Sequence, residues 1–124
     1  MDVYKTREFT RWARKQSLSD AALCTAVQEM ANGLYEADLG GNLLKKRIAR
    51  RGQGKSGGFR TLVATNKGSL WFFVYGFAKN ERSNIDKDEE AALKKLATAL
   101  LTMPLPALTK ALKADELIEV HCNG

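Results

Sequence analysis

ARRGQGKSGGFR, residues 49–60, admits two readings, and the choice between them decides the fold. Ala49, with Gly54-Lys55-Ser56 after a four-residue gap, fits a permissive version of the phosphate-cradling P-loop, whose strict form has glycine where Ala49 stands. A P-loop joins a strand to a helix, and the helix N-terminus supplies N–H donors and dipole to the phosphates. Here Ser56 is followed by Gly57-Gly58, two poor helix starters, and then by FRTLVAT (59–65), which is rich in β-branched residues. No Asp or Glu occurs between Leu39 and Asn80, which removes the acids that would hold magnesium. The stretch therefore reads as a long glycine-rich connection between two strands, LLKKRIA (43–49) and FRTLVAT. Its glycines give it conformational range, and Arg50, Arg51 and Lys55 make phosphate its natural ligand.

Outward from this loop the periodicities alternate. Asn66-Lys67-Gly68 is a turn signal, and SLWFFVYGFA (69–78) is apolar on both faces, as in a central strand covered twice. A hairpin over 59–78 follows. Trp71, Phe73, Tyr75 and Phe77 share one face by simple alternation and read as core. Upstream, DVYK (2–5) suits a short strand. Thr6 caps a helix carrying Phe9, Trp12 and Ala13, and Ser19 caps a second with Leu23, Ala26, Val27, Met30 and Leu34 on one face. Gly40-Gly41 ends that region. Downstream, Asp86 to Glu89 forms a capping box before a helix patterned by Ala92, Leu93, Leu96, Ala97, Leu100 and Leu101. Pro104 stops it, Pro106 opens a short helix, and ELIEV (116–120) is a last short strand or an ordered tail. With no internal repeat or linker, residues 1–124 read as one domain.

Charge sharpens the picture. The net charge is +6, yet the acid-free stretch holds nine of the twenty basic residues: Lys45, Lys46, Arg47, Arg50, Arg51, Lys55, Arg60, Lys67 and Lys79. The remainder of the chain is acidic on balance. Such segregation favours a polyanionic partner, nucleic acid first among them. No apolar run reaches membrane-span length, and charge from residue 2 onward does not suit a secretory leader. Cys24 and Cys122 stand far apart in sequence and in no metal-binding spacing, which predicts reduced thiols in the cytoplasm.

The combination LLKKRIARRGQGKSGGFRTLVA, followed by YGFAKNERSNIDKDE and a leucine-rich helix, resembles the RelE/ParE superfamily of bacterial toxins, in particular its RelE/HigB-like branch. The likeness spans Tyr4 to the ELIEV tail. It implies an α+β fold: an antiparallel twisted sheet of about four strands, two N-terminal helices on one face, and C-terminal helices. It implies the toxin half of a type II toxin–antitoxin pair, an endoribonuclease that cuts messenger RNA in the ribosomal A site and is blocked by a cognate antitoxin. The ParE branch poisons DNA gyrase instead, and a nucleic-acid-binding module without catalysis is a third possibility. The best-known RelE pattern has an arginine where Asn80 stands and a tyrosine near Asp86, which here reads as the helix cap.

Metal-free RNA cleavage needs an acceptor for the 2′-hydroxyl proton and positive charge on the phosphorane. The single histidine, His121, lies in the tail outside the basic region, and no Asp/Glu/His cluster suits a metal, so neither metal nor cofactor is expected. Lysines and arginines remain. Strand alternation puts Lys45 and Arg47 opposite Leu44 and Ile48. It turns Lys46 inward, which leaves open a bulge or a shifted register. By motif, Arg60 matches the family's arginine on the next strand, and Lys79 and Arg82 lie in AKNER. The expected assignment is Arg60 and Arg82 as phosphate clamps, Lys45 or Lys79 as proton acceptor, Arg47 assisting, and Lys46, Arg50, Arg51 and Lys55 gripping RNA backbone.

Overall fold

The hairpin forms as expected: β4 (Phe59–Thr65) and β5 (Leu70–Ala78) pair antiparallel in the centre of the sheet. The computed structural model describes residues 1–50 and 58–122. Around the hairpin stand β1 (Asp2–Thr6), α1 (Arg7–Lys15), α2 (Asp20–Ala31), β2 (Ala37–Asp38), β3 (Leu43–Ile48), α3 (Lys87–Leu101), α4 (Leu105–Lys113) and β6 (Leu117–Val120). The six strands lie in the order β2-β3-β4-β5-β1-β6. The fold is α+β, but the sheet is wider than four strands and is not wholly antiparallel, because β1 runs parallel to β5. β2 has only two residues, too few for an alternation signal.

Helix starts obey the side-chain rules. Thr6 Oγ1 accepts from Phe9 N–H, and Ser19 Oγ accepts from Ala22 N–H. Asp86 and Glu89 complete the capping box. α2 is shorter than its periodicity suggests. It ends at Ala31, Gly33 follows with φ 84°, and Leu34 is 60% exposed rather than on the buried face.

The sheet carries apolar cores on both faces. Phe9, Leu23, Val27, Met30, Leu44, Val63, Trp71 and Phe73 fill the layer beneath α1 and α2. Leu43, Leu62, Phe72, Val74, Phe77, Ala97 and Leu100 fill the layer beneath α3 and α4. The aromatic stripe of β5 is therefore split. Leu62 pairs with Tyr75 while Val63 pairs with Phe73, so one extra residue, Val74, bulges from β5. A bulge reverses the phase of alternation. It sends Tyr75 and Phe77 to the α3 face, away from Trp71 and Phe73.

The thiol expectation is corrected as well. Cys24 on α2 and Cys122 just beyond β6 form a disulfide across 98 residues of sequence. The pairing of β6 with β1 brings the tail back beside α2, a proximity no local spacing reveals. Among the described residues no helix is long and apolar enough to cross a membrane.

Candidate functional site

β3 and β4 pair in unbroken register, so Lys45 opposes Leu62 and Arg47 opposes Arg60. Across β4, Leu62 opposes Tyr75 and Arg60 opposes Phe77. Two rows result on the α3 face of the sheet: Arg47–Arg60–Phe77 and Lys45–Leu62–Tyr75. The β5 bulge puts the two aromatic residues there. Arg82, after the strand, lies over Phe77 with its guanidinium carbon 5.6 Å from the ring centroid, and its Nη1 donates to Tyr75 Oη at 3.0 Å. Four of the five expected catalytic residues thus share one face, together with Tyr75 and Phe77, which simple alternation grouped with Trp71 and Phe73.

Carboxylates thread between the cations. Glu36 precedes β2, and its backbone N–H donates to Lys45 O at 2.8 Å. Its Oε2 lies 2.9 Å from Arg60 Nε and 4.0 Å from Lys45 Nζ. Lys45 Nζ donates to Asn84 Oδ1 at 3.2 Å, and Arg82 Nε donates to Asn84 O at 3.0 Å. Arg82 also binds Glu89 with both terminal nitrogens, at 3.0 and 2.5 Å. The polar chain Arg60–Glu36–Lys45–Asn84–Arg82–Glu89 is continuous. Arg60 is 5% exposed, and its Nη1 is buried without a hydrogen-bond partner among the described residues. A buried cation left unpaired costs several kcal/mol, so Glu36 offsets a large penalty. Hydrogen bonding to Arg82 pulls the Glu89 carboxyl down to about 2, and the same bond raises the Arg82 guanidinium above its ordinary value.

Apart from Arg47, the expected residues outside this polar chain disperse. Arg47 is half-buried on the cluster face. Lys79, half-buried just past β5, donates its backbone N–H to Gly58 O at 3.2 Å. Lys46 points to the α2 face through an unbroken register, with no bulge in β3. It reaches the sheet edge, where Nζ meets Glu29 at 3.0 Å and Leu34 O at 3.0 Å. Arg50 lies over Phe59, 5.5 Å from the ring centroid. Arg51 and Lys55 fall outside the described residues. His121 is exposed at the opposite edge of the sheet, beyond β6.

Sequence reasoning missed Glu36, Asn84, Tyr75 and Glu89 as members of the cluster. Asn84 and Glu89 lie inside the NERSNIDKDE run (80–89), where Asp86 and Glu89 read only as a helix cap. Glu36 stands three residues before the acid-free stretch, and only the turn back from β2 into β3 carries it over Lys45. An open hollow at that edge, lined by Leu34, Tyr35, Glu36 and Arg47, borders the cluster.

The glycines of the two motifs also find reasons. A Cβ at Gly58 would stand 2.8 Å from Ile48 O, so glycine there lets the backbone just before β4 approach the end of β3 directly. Gly58 leads straight into β4, a strand where a P-loop requires a helix. A Cβ at Gly76 would penetrate the Trp12 ring at 2.3 Å.

Comparison with individual curated proteins gives no match. A family model described as the RelE toxin of the RelE/RelB toxin–antitoxin system matches residues 1–120. That match takes in every strand and helix, from β1 through β6, including the two-row cationic face. The chain belongs to the RelE toxin family, and an antitoxin is the partner that membership implies.

Proposed function

We propose that this toxin is an endoribonuclease that acts in the cytoplasm on messenger RNA held in the ribosomal A site, and that its antitoxin blocks the cationic face. The observation that carries the reading is the convergence of Lys45, Arg47, Arg60 and Arg82 on one side of the sheet, with Arg60, Lys45 and Arg82 linked by a continuous polar chain and Arg47 opposite Arg60. A surface merely kept soluble by charge has no reason to gather four cations around two aromatic rings. Family membership supports the ribosomal setting.

The chemistry follows from the groups present. The ribose 2′-oxygen attacks the adjacent phosphorus and gives its proton to the unprotonated amine of a lysine, Lys45 or Lys79, which becomes the ammonium. Negative charge grows on the phosphorane, where Arg47, Arg60 and Arg82 supply a preorganised positive field. The bond from phosphorus to the 5′-oxygen breaks, and that oxygen takes up a proton from water, which the proton held by the lysine then replaces. The products are a 2′,3′-cyclic phosphate and a 5′-hydroxyl, and no metal enters the balance. Arg50, Arg51 and Lys55 grip flanking backbone, whereas Lys46, engaged with Glu29, plays its part at the edge.

Mapping of transcript ends after brief induction tests the reading, with ribosome-free RNA as the control. New 5′-hydroxyl ends within translated frames are expected, and Lys45→Ala or Arg60→Ala abolishes them. Intact transcripts together with DNA breaks and an SOS response would point to gyrase instead. Loss of salt-sensitive RNA binding in these variants, with cleavage retained, would remove the residues from catalysis.

A further inference from the structure

We propose that Glu36 is a positioning residue of the cleft, holding Arg60 and Lys45 in a fixed relation at the cost of some attraction for RNA. The kinetic part of this inference rests on the ribonuclease reading; the geometric part does not.

Five observations converge on Glu36. Its main chain is anchored to the lysine it faces, because its N–H donates to Lys45 O at 2.8 Å. Its carboxylate meets Arg60 Nε through both oxygens, at 2.9 and 3.2 Å, and lies 4.0 Å from Lys45 Nζ. Arg60 is itself almost fully buried, so its guanidinium cannot swing out to find another partner. Among the described residues Nη1 of Arg60 has no hydrogen-bond partner, and Glu36 grips the guanidinium at its Nε side. Arg47 stands directly opposite Arg60, and no acid on β3 or β4 separates the two. Glu36, arriving from outside the acid-free stretch, is the carboxylate that makes this packing of cations tolerable.

The same carboxylate repels a phosphate that approaches the cluster. Order and affinity therefore pull in opposite directions at this residue, and the conflict gives a signature that loss of folding cannot imitate. Glu36→Gln keeps an oxygen for Arg60 Nε–H and removes the charge. Its affinity for a single-stranded RNA oligonucleotide is expected to rise, with a salt dependence steeper by about 0.7 in the log–log slope. Its single-turnover cleavage on programmed ribosomes is expected to fall by about ten- to a hundredfold, as for a misplaced reacting group.

The experiment pairs anisotropy titrations over a salt series with that cleavage assay. It adds the NMR signal of the Arg60 Nε–H, assigned by its loss in Arg60→Lys. Tighter binding with slower cleavage supports the inference, whereas wild-type cleavage by Glu36→Gln overturns it. If that variant fails to fold by circular dichroism, Glu36→Asp, which keeps the charge and shortens the reach, carries the test. Slower cleavage at unchanged RNA affinity then supports the inference, and unchanged cleavage overturns it. A wild-type chain that cleaves nothing on ribosomes defeats the ribonuclease reading, and the NMR signal then decides. An Nε–H protected from exchange in the wild type and exposed in Glu36→Ala, which removes both side-chain oxygens, supports positioning. Equal exchange in both overturns it.

Discussion

Arg47 lies directly opposite Arg60 across the β3–β4 ladder, so two guanidinium-bearing side chains leave the same face of the sheet at neighbouring positions. Like charges opposed in this way destabilise a sheet by up to about 1 kcal/mol. Glu36 neutralises Arg60 but forms no ion pair with Arg47 among the described residues. Arg47→Thr is therefore expected to stabilise the fold by about 0.5 kcal/mol, while it slows RNA cleavage. Urea unfolding and the ribosomal cleavage assay check the two halves together. A variant that loses both stability and activity would mean that Arg47 is a packing residue with no functional excess of charge.

Gly76 touches the Trp12 ring where a Cβ would sit at 2.3 Å, a distance that no side chain tolerates. Gly76→Ala must push Trp12 off its edge-on contact with Phe59. The expected loss is about 1–3 kcal/mol, typical of forced overpacking in a core. Trp12→Leu costs stability alone through the lost ring. Combined with Gly76→Ala it is expected to cost less than the sum of the two single changes. Chemical denaturation of the four proteins measures the coupling, and strict additivity would show that the ring does not dictate the glycine.

The sequence reveals the scaffold more readily than the site. Thr6, Ser19 and Asp86 announce their helices because a capping oxygen acts within three residues. The hairpin 59–78 is visible for the same reason: turn and alternation are local. The pairing of β1 with β5 and the Cys24–Cys122 bond depend on segments about 70 and 98 residues apart, and no local pattern records them. The site fails at one residue. Val74 bulges, and every side chain beyond it changes face, so Tyr75 and Phe77 read as a continuation of Trp71 and Phe73. Lys45, Arg47 and Arg60 need only unbroken alternation and are legible. Glu36 is not, because it joins them through the return of the β2–β3 edge.

The Cys24–Cys122 bond closes most of the chain into a loop and ties the tail after β6 to α2. On the chain-entropy account, a loop this long contributes about 4–5 kcal/mol through the unfolded state. Reduction is expected to lower the melting temperature substantially while leaving the fold standing, because β6 keeps its four-residue pairing with β1. The double variant Cys24→Ser/Cys122→Ser should match the reduced protein and no longer respond to reductant. Thermal melts with and without dithiothreitol, alongside thiol counting by mass spectrometry, test this. A pair of free thiols in protein purified without reductant would remove the bond from the native state. The cationic face, built on β3 to β5, would be unchanged in the thiol form.

Glu89 does two jobs with one carboxylate: it closes the capping box on Asp86 N–H, and it binds Arg82. Its carboxyl is held at about 2, below the ordinary 4.5, chiefly by hydrogen bonding to Arg82. A carboxyl whose folded value is depressed adds stability above its unfolded value and loses it as the pH falls toward the folded value. The contribution is therefore complete near neutrality and fades between about pH 4.5 and pH 2. Glu89→Gln keeps an oxygen for the cap and removes the charge, so it isolates this effect. The stability gap between wild type and variant is expected to be widest at pH 7 and to close progressively below pH 4.5, and added salt should narrow it at neutral pH because both groups are partly exposed. Urea unfolding at a series of pH values gives the curve. The absence of a gap at every pH would mean that Glu89 acts through helix capping alone, and that Arg82 owes its place over Phe77 to Tyr75 and Asn84.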